Sequence, residues 1–127
     1  MGSPRKTFFE SMKAFLASFY YAGRGIYQTF LTERNFRIHS FAALLAIVLG
    51  FIYRLTKGEW LVITVCMVFM LAVELVNTAI EHVCDAVTTT EDNRIKRAKD
   101  AAAGACLLVA TLCVIAGVVI FTPKVFK

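Results

Sequence analysis

Four polar side chains recur at helical spacing through an otherwise apolar stretch of the chain: Glu74, Asn77, Glu81 and Asp85. At about 100° per residue, Asn77 lies about 60° to one side of Glu74, whereas Glu81 and Asp85 lie about 20° to either side of it. Three carboxylates and one amide therefore form a polar stripe along a single helix. Ionisable groups inside an apolar span are costly and indicate a functional site. Glu74 is the deepest of them, whereas Asp85 could also be a solvated helix end.

Another acidic residue, Glu33, directly precedes the first long apolar segment, and Arg37 follows four residues later. That spacing could be a simple surface ion pair on a helix. Glu33 is however expected at the same membrane depth as Glu81, where two carboxylates would repel each other unless a cation lay between them. Mg²⁺ binds one or two carboxylates together with phosphate oxygens and water. We therefore predict a Mg²⁺–nucleotide site on Glu33 and Glu81.

Three basic residues, Lys96, Arg97 and Lys99, precede a run of small residues at 101–105. Lys99 could bind a phosphate group, or it could be one of the cations that collect on the cytoplasmic side of membrane proteins. The small residues permit close packing between helices in lipid. His39 and His82 have no partner at metal-ligand spacing, and we interpret both as packing or interface residues.

The elements that carry these residues are expected to lie in a membrane. The chain has 127 residues, 58% of them hydrophobic and 18% charged, and its mean hydropathy is +0.66. A soluble domain this short has too high a surface-to-volume ratio to bury so much apolar surface. The net charge of +5 suits an anionic membrane surface. Nucleic acid is a weak alternative, because the basic residues outside the apolar segments are not interleaved with stacking aromatics.

The sequence predicts an all-α membrane protein that forms a single domain over residues 1–127. Backbone groups in lipid must be satisfied within their own segment, so apolar stretches of about 20 residues are read as helices that cross a core of about 30 Å. We predict transmembrane helices at about 35–54, 59–85 and 98–122, with a polar loop at 88–99. An amphipathic helix at about 6–31 precedes them. It could lie along the membrane surface or pack on the bundle.

The distribution of Lys and Arg predicts the orientation in the membrane. The N-terminal part holds six and the second loop four, whereas the first loop and the C-terminal tail hold two each. With three spans, the N-terminal part and the second loop share a side, and the side richer in Lys and Arg is cytoplasmic. We expect a multi-pass protein with its N-terminus in the cytoplasm and its C-terminus outside.

Taken together, these residues resemble the signature of the prokaryotic integral-membrane diacylglycerol kinase family. The resemblance rests on the motif Glu74-x-x-Asn77-x-Ala79-Ile80-Glu81-x-x-x-Asp85 and on the Ala98-Lys99-Asp100 run that follows it. The segments 32–37 and 120–124 are more similar to the undecaprenol kinase branch of that family, found in Gram-positive bacteria. The resemblance extends from about residue 15 to residue 121.

The resemblance implies a lipid kinase of a bacterial cytoplasmic membrane, a homotrimer whose active sites are cytoplasmic and shared between subunits. Glu74 would be the general base, Asn77 would orient groups beside it, and Glu33 and Glu81 would hold Mg²⁺ with ATP. The remaining nucleotide contacts would be Tyr21, Asp85, Glu91, Lys99 and Asp100. The lipid would contact Glu74 together with Phe36, Arg37 and Ala103.

The expected reaction transfers the γ-phosphate of ATP to undecaprenol and yields undecaprenyl phosphate. The sequence contains no Walker A loop, so the nucleotide would be held without a P-loop. Ala14 is not basic and His39 stands where diacylglycerol-specific relatives have a carboxylate, which favours the undecaprenol branch. A diacylglycerol kinase that makes phosphatidic acid is the alternative. A small transporter would explain Glu74 but neither Glu33 nor the Lys99-Asp100 pair. A structural membrane subunit, in which the carboxylates serve assembly, is a further alternative.

Overall fold

The computed structural model describes residues 7–126, which form four α-helices and no β-strand. These are α1 at Phe8–Thr32, α2 at Arg34–Ile52, α3 at Lys57–Val87 and α4 at Asn93–Val125. Of the four, α2, α3 and α4 are long and apolar enough to cross a membrane. The predicted all-α fold, with three helices of spanning length after an N-terminal helix, is confirmed. Lys6, where that first helix was expected to begin, lies outside the described residues.

Reciprocal side-chain caps determine where α1 and α3 begin. The Thr7 hydroxyl accepts a hydrogen bond from the Glu10 N–H, and the Glu10 carboxylate accepts one from the Thr7 N–H. Thr56 and Glu59 form the same pair at the start of α3. Each pair satisfies two of the backbone N–H groups that a helix start leaves without an intrahelical partner. Because of this cap, α3 begins at Lys57, slightly before the predicted boundary.

The helix α4 begins earlier than the sequence indicated, and the predicted loop at 88–99 is confined to 88–92. Asp92 caps the helix, because its carboxylate accepts a hydrogen bond of 2.7 Å from the Arg94 N–H. The Arg94 guanidinium also donates to this carboxylate at 3.0 Å. These hydrogen bonds, the side-chain one foremost, hold the pKa of Asp92 below its usual value. The first turns of α4 are therefore polar helix, and they present Lys96 and Lys99 at the membrane boundary.

The helices α3 and α4 form an antiparallel hairpin that is longer than the bilayer core requires. At 1.5 Å per residue, their 31 and 33 residues span about 46 and 50 Å, against an apolar core of about 30 Å. One buried cluster lies near the end of the hairpin that carries Trp60, and a second lies halfway along. The two clusters consist of Leu55, Ile63 and Ile120, and of Met70, Cys106 and Val109. The excess length is polar and lies at the end that carries the 88–92 loop.

A tight turn at the Trp60 end of the bundle fixes α2 against α3. The Trp60 indole lies over Gly50 so closely that a Cβ there would be 2.7 Å from the ring. Arg54 adopts a φ of 50° in the turn, a left-handed conformation that is uncommon outside glycine. Lys124 near the end of α4 pairs with Glu59 at 3.1 Å. These contacts set the position of α2 along α3, and therefore which side chains meet at the opposite end.

Much of the apolar surface of the chain is exposed. The first helix presents a series of aromatic rings, of which Phe15 and Phe19 contact each other edge-to-face at 5.1 Å. Long runs of Leu, Val and Ile on the outer faces of α2, α3 and α4 are likewise exposed. Large exposed apolar surfaces on a folded chain indicate contact with lipid or with other protein.

Candidate active site

The deep half of the polar stripe is buried where α3 meets α2, whereas Glu81 is half-buried and Asp85 is exposed. Glu74 and Asn77 retain only 4% and 9% of their accessible surface. The crossing of the two helices brings His39 Nε2 to 3.3 Å from Glu74 Oε1. A buried carboxylate is costly unless it has a partner. Within residues 7–126, His39 is the only basic side chain at ion-pair distance from Glu74.

Asn77 links the deep part of the stripe to Glu81. Its Nδ2 donates a hydrogen bond of 2.9 Å to the Glu81 carboxylate, one helical turn away. Its Oδ1 is buried and has no hydrogen-bond donor in the described part of the chain. Leaving a buried acceptor unpaired is unfavourable. Asn77 therefore presents a free acceptor between the two carboxylates, which suits its predicted role of orienting groups beside the base.

Glu33 forms the corner between α1 and α2, and its backbone N–H donates to the Thr29 carbonyl at 2.8 Å. Its carboxylate accepts a hydrogen bond from the Thr32 hydroxyl at 3.0 Å and lies 3.9 Å from His82 Nε2. Because His82 follows Glu81 on α3, the corner lies beside the Glu81 end of the stripe. The described residues contain no group of three or more His, Cys, Asp or Glu side chains that could hold a metal alone. Two carboxylates instead fit a Mg²⁺ ion that is completed by phosphate and water.

Two predicted lipid contacts, Phe36 and Arg37, lie at the same corner. Arg37 Nη1 donates hydrogen bonds to the carbonyl oxygens of Leu31 at 2.7 Å and of Phe30 at 3.4 Å. A helix end leaves such carbonyls without partners, and α1 has no basic residue in its own last turn. The ion-pair alternative, Glu33 with Arg37, is not found among the described residues. Phe36 is 3% exposed, so its ring packs inside the chain.

A separate pocket of about 710 Å³ opens where α3, the 88–92 loop and α4 meet. Asp85, Glu91, Lys99 and Asp100 all line it, and the Lys99 ammonium is paired with the Asp85 carboxylate. A pocket of this size is typical of small-molecule and cofactor sites. Four of the predicted nucleotide contacts therefore lie together. Tyr21 is exposed on α1 and does not line this pocket.

Glu74 and the pocket are well separated along α3. Glu81 lies seven residues and Asp85 eleven residues after Glu74, which correspond to about 10 and 16 Å of helix. One phosphate group cannot contact Glu74 and also a Lys99 that stays beside Asp85. If the predicted roles hold, a nucleotide would have to extend along the stripe, or Glu74 and Lys99 of different subunits would have to act together.

Comparison with known proteins agrees with this arrangement, because the sequence model of the family described as prokaryotic diacylglycerol kinase matches residues 20–121. The chain belongs to the prokaryotic diacylglycerol kinase family. Among its relatives, the undecaprenol kinase of Bacillus subtilis is 44% identical over 89% of this chain and 92% of its own length. The diacylglycerol kinase of Synechocystis is 36% identical over 97% of this chain and 71% of its own length. The diacylglycerol kinase of Haemophilus influenzae is 32% identical over 75% of this chain and 79% of its own length.

Membership of the diacylglycerol kinase family confirms the prediction that was made from the polar stripe and the Lys99-Asp100 pair. The relatives are named as lipid kinases, and this family with its three apolar helices places the chain in a membrane.

The family's predicted site residues are divided between two places in this kinase. Glu74, Asn77 and Glu81 lie on the stripe, with Glu33 at the corner beside it, and four of the predicted nucleotide contacts lie at the pocket. Tyr21 lies at neither place. Ala103, a predicted lipid contact, is exposed on α4. It does not line the pocket at the 88–92 loop, and it does not take part in the contact between His39 and Glu74.

The structure gives each histidine, interpreted above as a packing or interface residue, a carboxylate neighbour. His39 contacts Glu74, and His82, which is largely exposed, lies beside Glu33. Neither contact could be read from spacing, because each joins residues of different helices. A signal for His39 was nevertheless present, since it stands in the first turns of an apolar helix, where a polar side chain needs a partner.

Proposed function

We propose that this kinase phosphorylates undecaprenol with ATP, at the cytoplasmic face of a bacterial membrane. Family membership supports the lipid kinase activity. The observation that carries the choice of acceptor is the 44% identity to an undecaprenol kinase over 92% of that protein, against 36% and 32% to two diacylglycerol kinases. Both kinds of acceptor share a primary hydroxyl, so the chemistry at the phosphate is the same for either.

Glu74 acts as the general base in this proposal. The lipid hydroxyl gives its proton to the Glu74 carboxylate while its oxygen bonds to the γ-phosphorus. The bond from the γ-phosphorus to the β–γ bridging oxygen breaks, and ADP leaves without a phosphoenzyme. Phosphoryl transfer depends mainly on positioning and on charge neutralisation. The burial of Glu74 supports this role, because it places the carboxylate inside the span, where a hydroxyl can arrive with its tail still in lipid.

Glu33 and Glu81 are the residues that would hold Mg²⁺, and the ion would neutralise charge on the β- and γ-phosphates of ATP. Asn77 keeps the Glu81 carboxylate in place through its hydrogen bond. The nucleoside end of ATP occupies the pocket at the 88–92 loop, where Asp85, Glu91, Lys99 and Asp100 lie. Tyr21 reaches the nucleotide of a neighbouring subunit from α1.

The surroundings of the base suit a polyprenol better than an ester lipid. A cavity of about 240 Å³ extends from His39 between α2, α3 and α4. Apart from His39 and two cysteine thiols, its walls are apolar, and they include Ala42, Ala46, Met70, Val114 and Phe121. A site for diacylglycerol is expected to offer donors to the ester carbonyls, and donors left unpaired would penalise a polyprenol. Few such donors are present here, which supports the polyprenol as acceptor.

A homotrimer with shared sites and a cytoplasmic active face completes the proposal. Support for the assembly comes from the extensive exposed apolar surface and from the distance between the base and the pocket. Support for the orientation comes from the excess of Lys and Arg in the N-terminal part and the second loop. The C-terminus, with the Glu59–Lys124 pair, then lies at the outer face.

A direct competition between lipids tests the proposed function. The purified chain is assayed in mixed micelles that contain undecaprenol and a diacylglycerol at matched mole fraction, with radiolabelled ATP. We expect labelled undecaprenyl phosphate, with a kcat/KM at least about tenfold above that for diacylglycerol, a difference of about 1.4 kcal/mol in transition-state binding. Glu74→Gln should lose at least about a hundredfold in kcat, as expected for removal of a general base. A preference for diacylglycerol would contradict the choice of undecaprenol as the acceptor. Transfer to neither lipid would contradict the proposed lipid kinase activity.

A further inference from the structure

His39 stands where the base meets the apolar cavity. Its Nε2 lies 3.3 Å from Glu74 Oε1, and its ring lines the cavity of about 240 Å³ that continues into the span. The His39 side chain is 26% exposed, whereas the Glu74 side chain is 6% exposed. A lipid alcohol that approaches Glu74 from this cavity therefore passes His39.

The other candidate partners of Glu74 are engaged elsewhere in the described part of the chain. The Arg37 guanidinium donates to carbonyls at the end of α1, and the Lys99 ammonium pairs with Asp85. The Asn77 amide donates to Glu81. The Cys106 thiol of α4 also lies beside the buried Glu74 carboxylate, but a thiol is a weak donor. In this arrangement, His39 is therefore the stronger hydrogen-bond donor to Glu74 within the same subunit.

We propose that His39 is a positioning residue for Glu74. Its Nε2–H directs one oxygen of the carboxylate toward the ring, so that the other oxygen faces the lipid hydroxyl at the mouth of the cavity. This inference rests on the proposed function, in which Glu74 is the base. During the reaction the hydroxyl O–H bond breaks and an O–H bond forms on the free Glu74 oxygen, while His39 keeps its own proton.

The size of the expected effect follows from the geometry of proton transfer. A base must lie within hydrogen-bond reach of the proton that it abstracts. A misplacement of about 1 Å at a reacting group can cost about a hundredfold in rate. Loss of the His39 contact should therefore lower kcat and leave nucleotide binding unchanged, because the pocket at the 88–92 loop does not include His39.

Two polar substitutions of His39 distinguish a role in positioning Glu74 from a general effect on the stability of the fold. In His39→Gln, the side-chain amide nitrogen reaches about the place of Nε2 and can still donate to Glu74. In His39→Asn, the shorter side chain places its nitrogen near the position of Nδ1, away from the carboxylate. We expect His39→Gln to retain kcat within about threefold and His39→Asn to lose about ten- to a hundredfold, with the KM for ATP unchanged in both. Thermal unfolding in detergent and gel-filtration elution show whether the two variants fold alike.

A double substitution links the effect to the base. Residues that act as one unit give non-additive losses, so adding His39→Asn to Glu74→Gln should not reduce the residual rate further. Equal losses in His39→Gln and His39→Asn, or losses that multiply with Glu74→Gln, would overturn the positioning role. Full activity in both His39 variants alongside an inactive Glu74→Gln would reject this inference and leave the proposed base intact. An active Glu74→Gln would reject both.

Discussion

Glu33 and Glu81 are each held by a neutral donor, the Thr32 hydroxyl and the Asn77 amide respectively. A carboxylate with one such hydrogen bond keeps further lone pairs for a cation. The paired Asp85, by contrast, already neutralises Lys99. We therefore expect Glu33 and Glu81, rather than Asp85, to bind a Mg²⁺ ion that arrives with ATP.

Replacing either carboxylate by its amide tests this assignment. We expect Glu33→Gln and Glu81→Gln each to raise the Mg²⁺ concentration for half-maximal activity by about tenfold or more, because changes that only disturb the support of a metal ligand already cost ten- to a hundredfold in affinity. The measurement is a Mg²⁺ titration at fixed total ATP. Glu59→Gln is the matched control, because Glu59 lies at the opposite end of α3. If the Mg²⁺ titrations of both variants matched that of the wild type, the assignment of a shared Mg²⁺ site to Glu33 and Glu81 would be wrong.

The residues of the stripe could be predicted from sequence, whereas their partners could not. Glu74, Asn77 and Glu81 lie on one helix, so the helical period alone aligns them. His39 and Glu74 belong to different helices, and their contact depends on how α2 crosses α3. Arg37 shows the same limit, since its residue type suggested a lipid or ion-pair contact and its actual partners are the carbonyls of α1.

At the scale of elements, the corner between α1 and α2 places Glu33 beside α3. The corner has a single residue outside helical geometry, and the Arg37 guanidinium closes the end of α1 above it. Hydrogen bonds that involve a charged group contribute about 1.5–3 kcal/mol. The position of Glu33, and with it the proposed Mg²⁺ site, thus depends on Arg37.

Substitution of Arg37 should therefore change the concentrations of Mg²⁺ and ATP that the kinase requires more than it changes the KM for the lipid. We expect Arg37→Gln to raise the Mg²⁺ and ATP requirements by about three- to tenfold, in proportion to a corner weakened by about 1 kcal/mol, while the KM for undecaprenol changes little. Steady-state kinetics with each substrate varied in turn provide the measurement. Arg34→Gln, an exposed neighbour on α2, is the control. A rise confined to the lipid KM would support the original assignment of Arg37 to the lipid.

The boundaries of the elements were only partly predictable. The Thr56–Glu59 cap follows a known spacing, and its position in the sequence was a readable signal for the start of α3. Asp92 before Asn93 was an equivalent signal for α4. The polar composition of 88–99 favoured a loop instead. A helix that extends beyond the membrane loses the apolar pattern by which membrane spans are recognised, so the first turns of α4 were not predicted.

At the scale of the whole molecule, the distance between Glu74 and the pocket bears on how subunits cooperate. The two lie about 16 Å apart along α3, and the exposed apolar faces of the described helices leave room for neighbouring subunits. If a site combines the base of one subunit with the Lys99 of another, two different inactive subunits can repair each other. If each site lies within one chain, they cannot.

Mixed oligomers of Glu74→Gln and Lys99→Met subunits distinguish these arrangements. Both variants alone should be nearly inactive, the first because it lacks the proposed base and the second because it lacks the ammonium group in the proposed nucleotide pocket. In a closed, cyclic trimer that contains both variants, one site in three combines the two intact residues, so about a third of wild-type activity should return after co-expression. The variants are purified through two different affinity tags in sequence, which selects oligomers that contain both.

Two comparisons make this result specific. Mixing either variant with a differently tagged copy of itself should restore nothing, because no site can then regain the missing residue. Mixing wild type with a Glu74→Gln, Lys99→Met double variant should give activity under either arrangement, which shows that mixed oligomers survive purification. Activity in that control together with none in the complementary mixture would place the base and its Lys99 in one chain. The nucleotide would then have to extend along α3, with its phosphates at Glu81 and its nucleoside at the 88–92 loop.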